Sequence, residues 1–443
     1  MNACQKKPRL NIFWFRRDLR LKDNKGLYEA LMGEMPVLPI FIFDPLILGR
    51  LENASDARVE FIFKKLQEIN ESLQEKQKAS IQIFFDEPLK VFEKLLKEYE
   101  IQSVYTNEDY EPYALLRDGK VQAFLESKGK SLKRFKDQVI FGPDEVLKSD
   151  STPYLVFTPF SKSWKKKLKS KDLDPHRSED HLDHVYKQKP TSLQSLKDLS
   201  FHKSNISFPG KSLYKSRLKE YGETRNFPAL EHGTSRIGLH LRFGTVSVRH
   251  CVQVARENSK DWLNELIWRE FFMMILFHFP HSENEVFKST YSKIPWREDQ
   301  EDFRRWCEGK TGYPLVDAGM RELVQTGYMH NRVRMLVASF LCKHLLISWK
   351  WGERFFAKHL LDFELASNVG NWQWAAGTGV DAAPYFRIFN PSTQFKKFDP
   401  DEEYVTQWVP EWKSEKYVEP MVDHEFARRR ALKAYKENME SKK

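Results

Sequence analysis

Residues 362–374 read DFELASNVGNWQW, and they decide how we interpret the C-terminal half of this chain. The preceding run KWGERFFAKHLL has apolar residues at helical spacing and no proline, which predicts a helix that continues into the stretch if it survives Gly370. On such a helix Glu364, Asn368 and Trp372 share a face. A carboxylate, a carboxamide and an indole on one face suit a flat aromatic ligand with polar edges. A buried core helix with packed tryptophans and a capped end is the alternative.

Length and charge set the first limits. A chain of 443 residues predicts two to three domains, and its 12 tryptophans indicate a large core, a stacking surface or a redox path. The net charge of +10 favours an anionic partner, with nucleic acid first and a membrane surface second.

The spacing of the cysteines and the sequence of the N-terminus indicate the cellular compartment. Cys4, Cys251, Cys307 and Cys342 are scattered, which predicts reduced thiols and no metal site. The N-terminus lacks the apolar core of a signal peptide, and FFMMILFHF (271–279) is too short to span a bilayer. We therefore expect a soluble, cytoplasmic protein.

The N-terminal third alternates short apolar runs with helical patterns. The predicted strands are LNIFWF, VLPIFIF, SIQIFF, SVYTNE and FKDQVIF, the last at 135–141. This alternation predicts an α/β domain with a doubly wound parallel sheet, which we place at 1–138. The first strand-to-helix turn, FRRDLRL, has no G-x-G-x-x-G, and the chain has no P-loop. A nicotinamide dehydrogenase or an NTPase is therefore not expected.

The rest of the chain has a different pattern. Residues 139–204 contain prolines and polar clusters, which predicts an interdomain linker over the surface. Six lysines between Lys162 and Lys171 form either a solvated face or an electrostatic aid to DNA association. Residues 205–443 contain long apolar-periodic runs without strand alternation, which predicts an all-α second domain.

Two of these runs place chemical groups together. In WLNELIWREFF, Glu265 and Trp268 can face the same way, and an acid beside an indole can stack a ring and hydrogen-bond its N–H edge. In YMHNRVRM, Asn331, Arg334 and Met335 share a face. Each run alone is equally compatible with an ordinary helix that has a solvated face.

Taken together, the motifs resemble the DNA photolyase/cryptochrome family, most closely the bacterial class I cyclobutane pyrimidine dimer photolyases. The matching stretches, in family order and approximate spacing, are FWFRRDLRLKDN, GTSRIGLHLRFGTVS, WLNELIWREFF, GKTGYPLVDAGMREL, YMHNRVRM and ASNVGNWQWAAGTG. The resemblance covers residues 10 to about 430. It implies a helical domain that binds FAD in a U shape.

The resemblance also implies the cofactor residues. Those that match the diphosphate region are Tyr221, Thr234, Ser235, Arg236, Ile237 and Gly238, where Gly238 replaces a common serine. Trp262 matches a further flavin position, and Arg334 and Asp362 match a guanidinium–carboxylate pair against the isoalloxazine. Asn368 matches the residue beside flavin N5, and Glu364 replaces the more usual aspartate.

For the substrate, the resemblance implies a pyrimidine dimer flipped out of DNA and split by an electron from the excited, reduced flavin. Glu265 and Asn331 would hydrogen-bond the dimer, while Trp268, Trp374 and Met335 would line its pocket. Arg225, Arg332 and Gln394 match DNA-contacting positions. Trp372, Trp349 and Trp296 match a chain that relays electrons to oxidised flavin, and core packing is the alternative for each.

Single residues bear on which lesion is repaired and on which antenna chromophore is bound. Six-four photolyases have histidines where this chain has Asn331 and Met335, which favours cyclobutane dimers. A cryptochrome-type blue-light receptor, a six-four photolyase and a single-strand-preferring enzyme are the alternatives. Tyr113 and Ala114 stand where folate-binding members have Asn-Glu, so methenylfolate is a less favoured antenna than a deazaflavin, a second flavin, a lumazine or an empty site. We expect a monomer without an obligate protein partner, bacterial in type and associated with the nucleoid.

Overall fold

The computed structural model describes residues 7–188 and 195–440. The chain divides into two compact units. The first comprises Met1–Gly142, Leu168–Lys211 and Ile237–Gln253, and the second comprises Pro143–Lys167, Ser212–Arg236 and Val254–Lys443. Residues of the predicted linker therefore occur in both units.

The first unit contains a five-stranded parallel sheet. Its strands are β1 (Arg9–Phe15), β2 (Val37–Phe43), β3 (Gln82–Phe85), β4 (Glu100–Asn107) and β5 (Ser131–Phe135), in the order β3-β2-β1-β4-β5. Every residue of β2, and every residue of β1 after Arg9, is buried. Continuous apolar strands of this kind form where helices cover both faces of a parallel sheet. The predicted α/β sheet followed by an all-α region is confirmed.

The last strand differs from the prediction. The sequence predicted it at 135–141, whereas β5 is Ser131–Phe135, paired with β4 from Ser103↔Ser131 to Asn107↔Phe135. As an edge strand, β5 is half exposed and contains charged residues, so it has no apolar run to reveal it. The run Val139–Phe141 is buried without being a strand.

Helices make up most of the remaining structure. In the first 250 residues they are α1 (Lys25–Leu31), α2 (Pro45–Leu48), α3 (Ala57–Gln77), α4 (Pro88–Glu98), α5 (Pro112–Ser127), α6 (Phe157–Lys167), α7 (Lys215–Lys219), α8 (Tyr221–Thr224), α9 (Gly238–Arg242) and α10 (Val248–Asn258). They continue with α11 (Lys260–His278), α12 (Gln300–Cys307), α13 (Pro314–Thr326), α14 (Asn331–Ser339), α15 (Trp349–His359), α16 (Leu365–Ala376), α17 (Pro391–Phe398), α18 (Glu403–Trp408) and α19 (His424–Glu440). Short 3-10 helices cover Ser170–Leu173, Ser178–His184, Pro280–Glu283 and Ser289–Tyr291, and a π-helix covers Phe340–His344.

The core of the second unit is aromatic. It is built around α13 to α16 and contains the fully buried Trp306, Trp349 and Trp372. Helix α11 packs against α6 and α16. Within the described ranges, none of the helices is both long enough and apolar enough to cross a bilayer.

Candidate flavin and lesion site

The helix predicted to run through residue 360 into the 362–374 stretch is interrupted. Helix α15 ends at His359, Leu360 is extended with ψ 126°, and the Leu361 amide donates to the Gly327 carbonyl at 2.9 Å. Helix α16 then begins at Leu365, with Glu364 as its N-cap residue, and it survives Gly370. The prediction of one continuous helix is therefore wrong, because the chain leaves the helix to bond with the end of α13.

This interruption places Asp362 beside Arg334. Nη2 of Arg334 donates to Oδ1 and Oδ2 of Asp362 at 3.1 and 3.0 Å. Nε of Arg334 donates to the Met329 carbonyl at 2.7 Å, which fixes the guanidinium plane. The pair is a rigid, charge-balanced surface of the kind that binds a planar polar ring.

A cavity that is open to solvent lies against this pair. Eight of the predicted residues line it: Asn331, Arg334, Met335, Asp362, Glu364, Asn368, Trp372 and Trp374. The structure thus brings together groups from α14, α16 and the turn between α15 and α16.

Asn368 is held at the cavity wall by Glu353. Its Nδ2 donates to Oε1 of Glu353 at 2.9 Å and to the Glu353 carbonyl at 3.1 Å. Burial raises the pKa of Glu353, and the bond from Asn368 opposes that rise. Sequence analysis missed Glu353, because it lies 15 residues from Asn368 on another helix.

Glu364 pairs with a basic group on α11. Its Oε1 accepts from Arg269 Nη2 at 3.0 Å, and its Oε2 accepts from Ser367 at 3.2 Å. Gly370 allows the close approach of α16 and α11, since a Cβ there would lie 2.2 Å from Cδ1 of Phe272. Helices α11 and α16 therefore hold their functional side chains in a fixed relation.

A second cavity of about 310 Å³ is lined by Tyr221, Thr234 and Ser235. Ser235 Oγ accepts from Trp262 Nε1 at 3.2 Å, and the hydroxyls of Thr234 and Tyr328 lie 3.3 Å apart. These hydroxyl groups suit the phosphate oxygens of a dinucleotide.

Tyr328 is a residue that sequence analysis missed. The guanidinium of Arg236 lies 4.7 Å from its ring centroid, and that of Arg334 lies 5.7 Å away. Its position directly before the MHNR motif was the available signal. Arg236 itself has φ 48°, a left-handed conformation. Ile237 and Gly238 belong to the first unit, where Gly238 begins α9.

Helix α11 contains Glu265 and Trp268, neither of which is among the residues that line the first cavity. Nη1 of Arg225 lies 2.7 Å from Oε1 of Glu265, so these two predicted substrate-contacting residues form an ion pair. Burial raises the pKa of Glu265, and the charge of Arg225 opposes that rise. The Trp268 ring is stacked on Phe157, with centroids 3.7 Å apart and planes at 5°.

The other two predicted DNA contacts lie outside the cavity lining. Arg332 donates to Asn226 Oδ1 at 2.5 Å, and its guanidinium lies 4.5 Å from the Phe398 ring centroid. Gln394 is a half-buried residue of α17. That Arg332 and Gln394 contact DNA stays a prediction.

The three tryptophans of the predicted relay lie in or against one apolar cluster. Trp372 and Trp349 are buried, and Trp296 is half-buried. A Cβ at Gly352 would lie 2.1 Å from Cη2 of Trp372, so α15 packs directly on that indole. Two buried indoles and a half-buried one suit a relay that reaches the surface, and they suit core packing equally.

Comparisons with known proteins agree on one family. Residues 11–179 match the profile described as DNA photolyase, and residues 262–415 match the FAD binding domain of DNA photolyase. The deoxyribodipyrimidine photo-lyase of Synechococcus sp. is 37% identical over 432 residues, which cover 90% of this chain and 87% of the relative. The chain belongs to the DNA photolyase family. It is accordingly a DNA-repair flavoprotein of the lyase class, and its cofactor is FAD.

Three solved structures are similar to this chain over nearly its full length. A class III photolyase from Agrobacterium tumefaciens has a TM-score of 0.85 at 32% identity and covers 99% of both chains. A photolyase from Sulfolobus tokodaii that holds two FAD molecules has a TM-score of 0.82 at 33% identity, covering 96% of this chain and 99% of that one. A Synechocystis cryptochrome has a TM-score of 0.84 at 26% identity, covering 97% of this chain and all of that one.

The residues present fit FAD. The first cavity combines the Arg334–Asp362 pair with Asn368, and the second presents hydroxyls to an anion. Nε2 of His330, a buried residue beside Asn331, has no hydrogen-bond partner among the residues that the structure describes. The Nδ1 atom of His330 accepts from the Arg332 amide, so Nε2 bears the proton and is a donor that lacks an acceptor. Buried donors of this kind mark sites that a ligand or water completes.

Proposed function

We propose that this chain repairs cyclobutane pyrimidine dimers in DNA, using light absorbed by reduced FAD. The observation that supports this most is the chemistry of one cavity. Asn331 and Met335 line it beside the Arg334–Asp362 pair, at the two positions where six-four photolyases have histidines. Neither an amide nor a thioether can donate a proton as a histidinium does, so the chemistry of this pocket suits a reaction without proton donation.

The bound cofactor would supply the electron that splits the dimer. The Arg334–Asp362 pair would hold the edge of the flavin ring, and Asn368 would face the ring with a neutral amide fixed by Glu353. Thr234 and Ser235 would hold the phosphates. These groups bind and orient the cofactor, and the protein needs no nucleophile of its own.

On the substrate side, Glu265 and Asn331 would hydrogen-bond the flipped dimer. Burial raises the pKa of Glu265 while the charge of Arg225 opposes that rise; the carboxylate can accept from an N–H, and the neutral carboxyl can donate to a carbonyl. Trp268, Trp374 and Met335 would supply apolar contacts. Arg225, Arg332 and Gln394 would contact the DNA around the lesion, where phosphate contacts fix position.

Trp372, Trp349 and Trp296 would relay electrons from the surface when the flavin is oxidised. Their indoles can be oxidised transiently, which replaces one long transfer by short ones. The protein would act as a monomer in the cytoplasm, near the nucleoid. A second chromophore in the first unit would serve as an antenna, as two FAD molecules in the Sulfolobus tokodaii structure suggest by analogy.

The second candidate function is blue-light reception. The Synechocystis cryptochrome, at TM-score 0.84, shows that this fold also occurs under that name. A receptor would keep FAD and the tryptophans but would not restore a lesion.

The test uses two substrates. The reduced protein is mixed with an oligothymidine that contains a cyclobutane dimer, or with one that contains a six-four product, and both are illuminated. We expect restored thymine from the first substrate only. Repair of the six-four substrate would assign six-four repair. If the flavin is photoreduced but neither substrate is repaired, the result would favour a receptor.

A further inference from the structure

Helix α6 packs against α11, the helix that contains Glu265 and Trp268. No sequence motif predicted this contact. The sequence predicted its residues as part of a surface linker, yet Phe160 and Trp164 of α6 are buried. Trp164 Nε1 donates to Glu270 Oε1 at 2.5 Å, and Lys165 Nζ donates to Asn264 Oδ1 at 2.6 Å. Both acceptors are on α11, on either side of Glu265 and Trp268. Helix α6 is therefore fastened to the helix that presents the lesion-contacting pair.

The N-terminal residue of α6, Phe157, is in contact with Trp268. Phe157 covers one face of the Trp268 indole, with planes at 5° and centroids 3.7 Å apart. Phe271 meets both rings edge-on, at 6.0 Å from Phe157 and 5.6 Å from Trp268. Phe272 is also stacked on the indole, with centroids 5.4 Å apart and planes at 26°. Phe157 and Phe272 together restrict the rotation of Trp268.

Phe157 is itself held in place. Its amide donates to Oδ2 of Asp381 at 3.0 Å. Asp381 has φ 44°, an uncommon conformation for a residue other than glycine, and it lies in the segment between α16 and α17. The orientation of the Trp268 indole therefore depends on Phe157 and Asp381, which are distant in sequence.

We propose that Phe157, anchored by Asp381, is a positioning residue for lesion recognition: it holds Trp268 in the orientation that a flipped pyrimidine dimer packs against. This rests on the proposed function, since it assigns to Trp268 an apolar contact with the dimer. Phe157 acts on lesion binding indirectly, by fixing the orientation of Trp268. An indole already held in plane loses less conformational freedom on binding, which favours the damaged strand over the undamaged one.

The experiment measures the dissociation constant for single-stranded DNA with and without one cyclobutane dimer, in darkness. Phe157→Leu keeps apolar volume and removes the stack. We expect its affinity for the dimer strand to fall roughly 3- to 10-fold, the equivalent of one aromatic pair, with no change for the undamaged strand. Phe157→Tyr should retain wild-type affinity, and Phe426→Leu, an exposed phenylalanine on α19, is the matched control.

A double-variant cycle separates positioning from general stability. In a Trp268→Leu background, Phe157→Leu should cause no further loss of dimer affinity, because the indole that it positions is gone. FAD content of Phe157→Leu should match wild type. Equal dimer affinity of Phe157→Leu and wild type would overturn the proposal, as would an equal loss for both strands. If wild type itself fails to prefer the dimer, the proposed function fails first.

Discussion

Arg225 and Glu265 form an ion pair with 2.7 Å between Nη1 and Oε1, although they lie on separate helical segments 40 residues apart. Both side chains are partly exposed, with 24% and 33% of their surfaces accessible. Sequence analysis predicted that Arg225 contacts DNA and that Glu265 contacts the dimer, without relating the two residues. The pair means that the charge state of Glu265, which we propose contacts the lesion, depends on Arg225, which we propose contacts DNA.

Replacing Arg225 should change how lesion binding depends on pH. Burial raises the pKa of Glu265, and Arg225 opposes that rise, so Arg225→Gln should raise the pKa further. The pH midpoint for dimer binding should therefore move upward. Titration of dimer affinity against pH in Arg225→Gln and wild type measures this shift. Lys219→Gln, a change of charge at a neighbouring exposed position, is the control, and an unchanged midpoint in Arg225→Gln would contradict the coupling.

Asp362 should determine how tightly FAD is held. Asp362→Asn removes the charge that balances Arg334 at the cavity wall. Because truncation of one partner in a hydrogen-bonded charge pair costs about 2 kcal/mol or more, we expect FAD affinity to fall about 30-fold. Reconstitution of stripped protein, followed by flavin fluorescence, gives the affinity. The exposed Asp401→Asn should bind FAD as wild type does, and wild-type affinity in Asp362→Asn would show that the pair is structural.

Trp372 should be needed for photoreduction and not for repair. Trp372→Phe keeps an aromatic ring in the contact with Gly352 but removes a readily oxidised one. The rate of flavin photoreduction should fall about tenfold or more, equivalent to ~1.4 kcal/mol on the barrier. Transient absorption after a flash measures that rate. Trp412→Phe is the control, and normal photoreduction in Trp372→Phe would assign the buried indole to packing alone.

His330 should make the protein less stable in acid. Burial lowers its pKa from the ordinary value of 6.5 to about 3, with neighbouring arginines adding to the effect. The unfolded chain therefore binds a proton before the folded one does. Stability is full above pH 6.5 and is lost as pH falls toward 3, at up to about 1.4 kcal/mol per pH unit.

His330→Asn isolates this effect. Asparagine is a good N-cap and can still accept from the Arg332 amide, but it does not titrate. Urea midpoints from pH 7 to pH 4 should fall less steeply in the variant than in wild type. Parallel curves for the two proteins would show that the histidine is not buried in its neutral form.

Local patterns predicted most of the second unit correctly. The i, i+3 and i+4 spacings of Asn331, Arg334 and Met335 placed all three on one cavity, because α14 is regular there. The break before Asp362 was not predicted, since it depends on a bond from Leu361 to Gly327, and hydrophobic spacing has no information about a partner 34 residues away.

Residues that act through tertiary contacts were missed for the same reason. Glu353 and Phe157 each sit in an unremarkable local pattern, and their importance arises from the residue that they contact on another element. Edge strand β5 was misplaced because its sequence is polar, while the buried run after it imitates a strand.

The most direct measurement follows the return of thymine absorbance when the reduced protein is mixed with a dimer-containing oligothymidine, in blue light and in darkness. The comparison is between wild type and the double variant Glu265→Ala with Asn331→Ala. We predict recovery in light only, with loss of recovery in the double variant while its FAD content is unchanged. Recovery in darkness, or undiminished recovery in the double variant, would contradict the assignment of Glu265 and Asn331 to the site of repair.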